Sequence, residues 1–421
     1  MTTVLAVGLP DLGHLLPTLA VLDVLRNRGH RVLVATISDR ESLVREAGFE
    51  PRLLARETLP IGWLPALDQA RAAARTGADL NRLSLSRFTI PLAAAILNDL
   101  GSLIRSAAPD RILVDPYCYG AASHAEAAGI PAAGIDGALS AERIDACHDP
   151  FRPWHVQQRP PGSRHRLISR LIGSSSDRAM RQVLRPLNIW RHRNGLSRLS
   201  SVFDECAGLD RVCPQPASFE LPERRRNPRI HYCGAFLAPH LRRRAPFPWE
   251  RLDGRPLVYA AAGTISRNQL PLLELTAWAC SDLPVQLAFG LGSADASLAV
   301  ALLPGDPIVV PWAPQLELLE RAAVCVTHGG LNTTLEALWH GVPLLATPIC
   351  FDQPGVAARI QASGCGLVVP PDEATPERLR EDLQRILSDP AFADRAGELG
   401  AEMRETGGAS AAADKIEQIL A

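Results

Sequence analysis

The sequence predicts an α/β protein of two doubly wound, parallel-sheet domains, and three observations carry that prediction. The chain has 421 residues, more than one ordinary core accommodates, so two domains of about 200 residues each are expected. Short β-branched or apolar runs alternate with longer helical patterns, which implies parallel sheets covered by helices on both faces. The alternation then breaks between Gly234 and Gly254, where APHLRRRAPFPWERLDG is rich in proline and arginine and carries neither pattern. The halves therefore read as residues 1–233 and 255–395 with a linker at 234–254. Residues 396–421 have helical character and are expected to pack back on the first domain.

Thr3–Gly8 and Arg31–Ile37 read as buried strands. Between them Leu15–Arg28 reads as a helix, because Leu15, Leu19, Leu22 and Leu25 recur at helical spacing and Gly29 supplies a stop. Arg111–Val114, Leu257–Ala261, Val285–Leu287, Pro307–Val310, Val324–Thr327 and Val342–Ala346 repeat the strand pattern, each followed by a loop and a helix candidate. In such sheets ligands sit beyond the carboxyl ends of the strands, so a motif that carries chemistry should follow a strand.

Composition narrows the function. Hydrophobic residues make up 47% and charged residues 21%, as in ordinary globular enzymes, and the formal net charge of -1 argues against a polyanion binder. No uninterrupted apolar run reaches the 18 or so residues of a membrane span. The opening MTTVLAVGLPDLGH lacks a basic n-region, so no signal peptide is expected. Nine cysteines, without a CxxC pair or zinc spacing, fit reduced thiols and a cytoplasmic location. No DxD occurs, so a carboxylate-held metal is not suggested and no cofactor is expected.

The richest segment follows the strand Val324–Thr327. His328, Gly329 and Gly330 precede a helix beginning near Asn332; the glycines let a diphosphate approach the backbone, and a helix start offers free N–H groups and a positive dipole end. Thr333-x-x-Glu336 also fits an ordinary capping box, and both readings stand together. Upstream, the Trp312 indole can stack on a nucleobase and Gln315 can read its edge or the ribose. Downstream, Glu336 can accept from ribose hydroxyls, and Asp352 and Gln353 can bind several sugar hydroxyls. The short GLGS at Gly290–Ser293 is too slight a match to a dinucleotide fingerprint to count.

This ordered constellation, WAPQ…THGGLNTTLE…GVP…P…DQ over 42 positions, resembles the signature of the family-one glycosyltransferases. These are UDP-glycosyltransferase-like enzymes of the GT-B fold, in which two Rossmann-like domains face each other across a cleft. PQLELLERA, HGGLNTTLEAL, HGVPLLATPI and DQPGVAARI bring the bacterial zeaxanthin glucosyltransferases and macrolide glycosyltransferases nearest. The resemblance implies Trp312 and Gln315 for the base, and His328, Gly330, Asn332 and Thr333 for the diphosphate. It implies Glu336 for the ribose and Asp352 with Gln353 for the sugar. Thr264, after the strand Leu257–Ala261, takes the place of a phosphate-facing Ser or Thr, with a simple turn as the lesser alternative. Leu331 departs from the Trp that plant members carry there.

In the first half, the loop Leu9–Gly13 leads to His14 just before a helix, where the dipole disfavours imidazolium and keeps a free base available. Asp115 follows the strand Arg111–Val114 and could orient that ring. Sequence alone leaves their contact open. GHLLP and VDPYCYGAA resemble the family's segments around its catalytic His and the Asp partner, which implies inverting transfer to a β-glycoside. His30 and His124 read as structural or surface residues.

The expected activity is transfer of a hexose, glucose before others, from a UDP- or dTDP-sugar to a hydroxyl of a small lipophilic natural product. Glucose is favoured because Asp352 and Gln353 together suit a fully hydroxylated hexose. A nucleotide-sugar epimerase and a non-catalytic donor-binding subunit are the alternatives. Acceptor-pocket candidates are residues 60–89 and 138–199 of the first domain. Between Phe151 and Ser200 stand 11 arginines against one acid, Asp177, with Trp154 and Trp190 among them. A solvated helical face explains that run, and contact with anionic membrane lipid or an anionic acceptor is the competing reading. Nucleic acid is not expected, because no recognition motif accompanies the arginines.

Overall fold

The computed structural model describes residues 1–74, 76–140, 179–222, 224–242, 245–261, 263, 270–291 and 303–420. Thr264 and residues 151–178 of the arginine-rich stretch therefore lie outside the described residues, as do Gly292 and Ser293.

Two parallel sheets organise the chain. The first is built from β1 (Thr3–Val7), β2 (Arg31–Thr36), β3 (Glu50–Leu53), β4 (Arg111–Val114), β5 (Ala132–Ile135), β6 (Arg211–Cys213) and β7 (Ile230–Tyr232). Its order is β3-β2-β1-β4-β5-β6-β7. The second contains β8 (Leu257–Ala261), β9 (Gln286–Gly290), β10 (Ile308–Val310), β11 (Ala322–Thr327), β12 (Leu344–Ala346) and β13 (Gly366–Val368), in the order β10-β9-β8-β11-β12-β13. Chain direction across each sheet reverses its order once, between β1 and β4 and between β8 and β11. Such switch points open a crevice beyond the strand ends. The two sheets thereby each offer one, and the site lies there.

Each sheet is covered on both faces. One face of the first packs Leu5, Val7, Leu33, Ile112 and Val114 against Leu92, Ile96 and Leu100. The other packs Val4, Ala6, Val32 and Leu113 against Leu15, Leu19, Leu22 and Leu25. Burying those four leucines stabilises the fold by about 1.5–3 kcal/mol each. They sit on the helix Leu12–Asn27, which starts one turn earlier than its leucine spacing alone indicates, because the Asp11 side chain caps it by accepting from the Gly13 N–H. His14 is consequently the third helical residue.

The chain end crosses back. Helix Pro390–Thr406 packs on the second-domain helix Leu331–Trp339 through Ala396, Leu399 and Met403. After Gly407, in a left-handed conformation, the helix Gly408–Ile419 lies on the first domain, with Ala412, Ala413, Ile416 and Leu420 joining the core beneath Leu12–Asn27. Glu417 there accepts from Arg28 and pairs with His30. The change of side falls at Gly407, so the boundary expected at residue 396 lies inside the helix Pro390–Thr406.

One described helical run, Gly77–Ala107, is long and apolar enough to cross a membrane by length and composition, and half of its apolar window is buried inside the protein. It includes a π-helical turn at Leu85–Thr89. Eight cysteines among the described residues are buried and unpaired.

Candidate active site

The first switch point assembles a His–Asp pair. Val7 and Val114 are opposite one another in the β1–β4 register, and the Asp115 N–H continues the ladder to the Val7 carbonyl at 3.0 Å. That fixes Asp115 beside the loop leading to His14. His14 Nδ1 lies 2.8 Å from Asp115 Oδ2, while Asp115 Oδ1 accepts from the Tyr117 N–H at 2.9 Å. Asp115 is fully buried. The Tyr117 ring stands edge-on to the imidazole at 5.1 Å, and its hydroxyl donates to the Leu139 carbonyl. Gly137 backs the ring's residue: a Cβ on it would stand 2.7 Å from His14 Cα, closer than real atoms approach.

One expectation about His14 is overturned. The helix start was to keep the ring neutral. Burial does oppose a proton, but the carboxylates of Asp115, then Asp11 and Asp352, outweigh it and raise the pKa from 6.5 to about 9. Near neutral pH the ring of the free protein is an imidazolium. A full negative charge at hydrogen-bond distance acts more strongly than the partial charge of a helix end.

The second switch point lies between β8 and β11, whose ends pair as Ala261 with Thr327. His328 follows β11 and is buried; burial lowers its pKa to about 4, against a hydrogen bond to the Ala261 backbone. Its Nδ1 has no partner among the described residues. The helix Leu331–Trp339 begins at Gly330 with no side-chain cap, so Thr333 and Glu336 do not form the capping box. Among the described residues no side chain caps the first-turn N–H groups, and with His328 they make a pocket suited to an anion. Gly330 is needed there, since a Cβ would stand 2.6 Å from His328 Nε2.

The remaining expected residues divide. Trp312 exposes its indole, as a stacking face requires. Gln315 and Glu336 meet, with Gln315 Nε2 donating to Glu336 Oε2 at 2.5 Å. Gln315 Oε1 in turn accepts from the Tyr259 hydroxyl, so the amide is already fixed on both sides. Glu336 is also paired with Arg242 of the linker, a residue that sequence reasoning passed over because the linker shows no pattern. Gln353 is placed otherwise than expected. Its Oε1 accepts from the Ile349 and Cys350 N–H groups at 2.8 and 2.9 Å, and its Nε2 lies on Cys350 Sγ, so it shapes its own loop. Asp352 stands at that loop's end after Phe351, which holds a left-handed φ of 54°.

Two of the expected donor-side residues reach the first domain. Asn332 Nδ2 donates to the Gly13 carbonyl. Pro17, four residues on, has no N–H to satisfy that carbonyl within the helix. Asp352 Oδ2 accepts from the Leu139 N–H at 3.2 Å, and burial raises its carboxyl above the usual range. Further out, Phe351 N–H donates to Asn81, and the fully buried Arg359 pairs with Glu220 at 2.5 Å. His14, Asp352, Asn332 and the open helix start thus face one crevice. His124 is buried against Trp190 and takes no part.

Comparison with known proteins finds similarity to glycosyltransferases. Residues 290–419 match the family model of the erythromycin biosynthesis protein CIII-like C-terminal domain. A zeaxanthin glucosyltransferase of Pseudescherichia vulneris is 28% identical over 98% of this chain and 96% of its own. A demethyllactenocin mycarosyltransferase of Streptomyces fradiae is 28% identical over 98% of this chain and 85% of its own. Among solved structures, the glycotransferase of kitacinnamycin superposes with a TM-score of 0.76 at 26% identity, covering 100% of this chain and 99% of that one.

Proposed function

We propose that this chain is a family-one glycosyltransferase of the GT-B fold and of the natural-product type, and that it transfers a hexose with inversion from a nucleoside diphosphate sugar to a hydroxyl of a small lipophilic acceptor. The His14–Asp115 pair at 2.8 Å, facing the uncapped helix start across the crevice, carries this reading.

With Nδ1 held by Asp115, His14 presents Nε2 to the crevice. In its neutral form it takes the proton of the acceptor hydroxyl as that oxygen attacks the anomeric carbon. Asp115 keeps the tautomer and stabilises the imidazolium that results. The bond from the anomeric carbon to the diphosphate breaks in the same displacement, so the centre inverts once. The departing charge is met by the open N–H groups before Thr334 and by His328, fixed in place before the reaction. Because the free protein holds His14 protonated up to a pKa of about 9, the reactive form is the deprotonated minority at neutral pH.

Asp352 keeps Oδ1 for a sugar hydroxyl while Oδ2 is bonded to Leu139. With Gln353 spent on its own loop, the preference for glucose loses half of its basis, and the donor is proposed as a hexose. The nucleoside stacks on Trp312 with its ribose at Glu336. A donor panel with a lipophilic acceptor library, read by product mass and anomeric coupling constants, tests the proposal. A β-glycoside from an α-linked donor is expected, and His14→Ala should lose transfer while still binding nucleotide. Retention of configuration, or normal transfer by His14→Ala, would sink it. Product formed from the donor alone would favour an epimerase instead.

A further inference from the structure

Glu336 is the carboxylate placed to meet the nucleoside sugar, and it is nearly saturated before any nucleoside arrives. An ionised carboxylate has about four lone-pair directions, two on each oxygen. Arg242 takes one on each, Nη2 bonding to Oε1 and Nη1 to Oε2 at 3.1 Å. Gln315 Nε2 takes the second on Oε2 at 2.5 Å, and Gln315 cannot turn away because Tyr259 holds its oxygen. Among the described residues one direction is left open, on Oε1.

The clamp is built in rather than incidental. Arg242 follows the short 3-10 turn Pro239–Leu241 of the linker, and His240 of that turn bonds Asp23 on the helix Leu12–Asn27 at 3.0 Å. The linker is thereby tied to the first domain one residue pair before its guanidinium reaches Glu336. Glu336 itself is buried, so water cannot replace a missing partner freely. A planar fork on a carboxylate is also the geometry that arginine holds best.

A ribose offers two adjacent hydroxyls, and a 2′-deoxyribose offers one. We propose that Arg242 is a specificity-determining residue that sets the donor nucleoside to the 2′-deoxy class, by leaving Glu336 a single acceptor site that the 3′-hydroxyl fills. This rests on the reading of the crevice as a nucleoside diphosphate sugar site with Glu336 at the ribose. The 2′-hydroxyl of a ribonucleoside would then enter a buried corner without an acceptor, which weakens its binding about tenfold.

The test uses the full chain and a pair of ligands that differ only at that position, UDP and 2′-deoxyuridine diphosphate, with heats of binding measured for each. Wild type should bind the deoxy compound about tenfold tighter. Arg242→Ala frees two directions on Glu336, and the preference should vanish or reverse, with UDP affinity rising. Arg242→Lys, which keeps the charge but loses the fork, should fall between them, and a thermal melt establishes that each variant is folded. Equal affinities in wild type, as when Arg242 swings away on binding, overturn the proposal. So does a ratio that Arg242→Ala leaves unchanged. Failure of wild type to bind either compound overturns the nucleotide reading itself and this inference with it, whereas tight but indifferent binding removes the inference alone.

Discussion

Replacing Asp115 by asparagine isolates the charge that dominates the catalytic crevice, because the amide keeps the shape of the carboxylate and removes its ionisation. His14 sits at a pKa of about 9 against an ordinary 6.5, a difference that corresponds to about 3 kcal/mol of preference for the imidazolium. Asp115 is the largest of the contributions that raise it, and burial pulls the other way. In Asp115→Asn the pKa should therefore fall to the ordinary value or below it. Two readouts follow. In wild type, kcat/KM should climb with pH and level off above about 9, since that ratio reports the free enzyme's base. The variant should level off near neutrality, at a plateau about 10²–10⁴-fold lower because the ring loses its orienting partner. The stability readout has a definite sign. A group whose folded pKa is raised adds stability that is whole below 6.5 and is lost as pH rises through about 9. Urea unfolding of wild type should lose about 3 kcal/mol from this group between those limits, and Asp115→Asn should not. A midpoint that stays near 9 in the variant would refute the assignment of the shift to Asp115.

Three further outcomes are expected. Diphosphate binding should draw a proton onto His328, whose pKa of about 4 leaves it neutral beforehand. Calorimetry near pH 5 in buffers of different ionisation heat should show more proton uptake by wild type than by His328→Gln, and equal uptake would remove His328 from the anion pocket. Gly137→Ala places a methyl 2.7 Å from His14 Cα, so transfer should drop about 10²-fold with nucleotide affinity intact; unchanged kcat would show that the backbone there yields freely. Arg359→Ala removes the buried partner of Glu220 across the domains, at a cost of up to about 3–5 kcal/mol in urea unfolding, and a loss below about 1 kcal/mol would show that Arg224 and Gln215, which also meet Glu220, suffice to hold it.

What the sequence made legible was set by burial on both faces. The central strands β1, β2, β4, β8 and β11 are continuous apolar runs and were read nearly to their ends. β3, β6, β7 and β13 are not so legible, because all four are short, EPRL, RVC and IHY carry polar residues, and β3, β7 and β13 lie at a sheet edge. β5, with the sequence AAGI, is buried but too small in its side chains to stand out from the alanine-rich helix before it. At the site, His14 and Asp115 could be named by type and place, yet their contact depended on the β1–β4 register, which no local pattern encodes. The raised pKa of His14 was misread for a related reason. It depends on Asp11, Asp115 and Asp352 converging, and these lie up to several hundred positions apart in the chain.

The same separation explains why the donor residues were only half understood. Asn332 and Asp352 look from sequence like ligands for phosphate and sugar, and in the structure both are bonded to the first domain. Each takes a backbone group that its own element cannot satisfy. The Gly13 carbonyl is open because Pro17 supplies no N–H, and the Leu139 N–H lies in the loop after β5, beyond the sheet. Buried polar groups are rarely left unpaired, and here the partners come from the other domain. A proline inside the first helix thus does structural duty toward the second domain. It leaves an acceptor beside His14 to which Asn332 of the second-domain helix bonds.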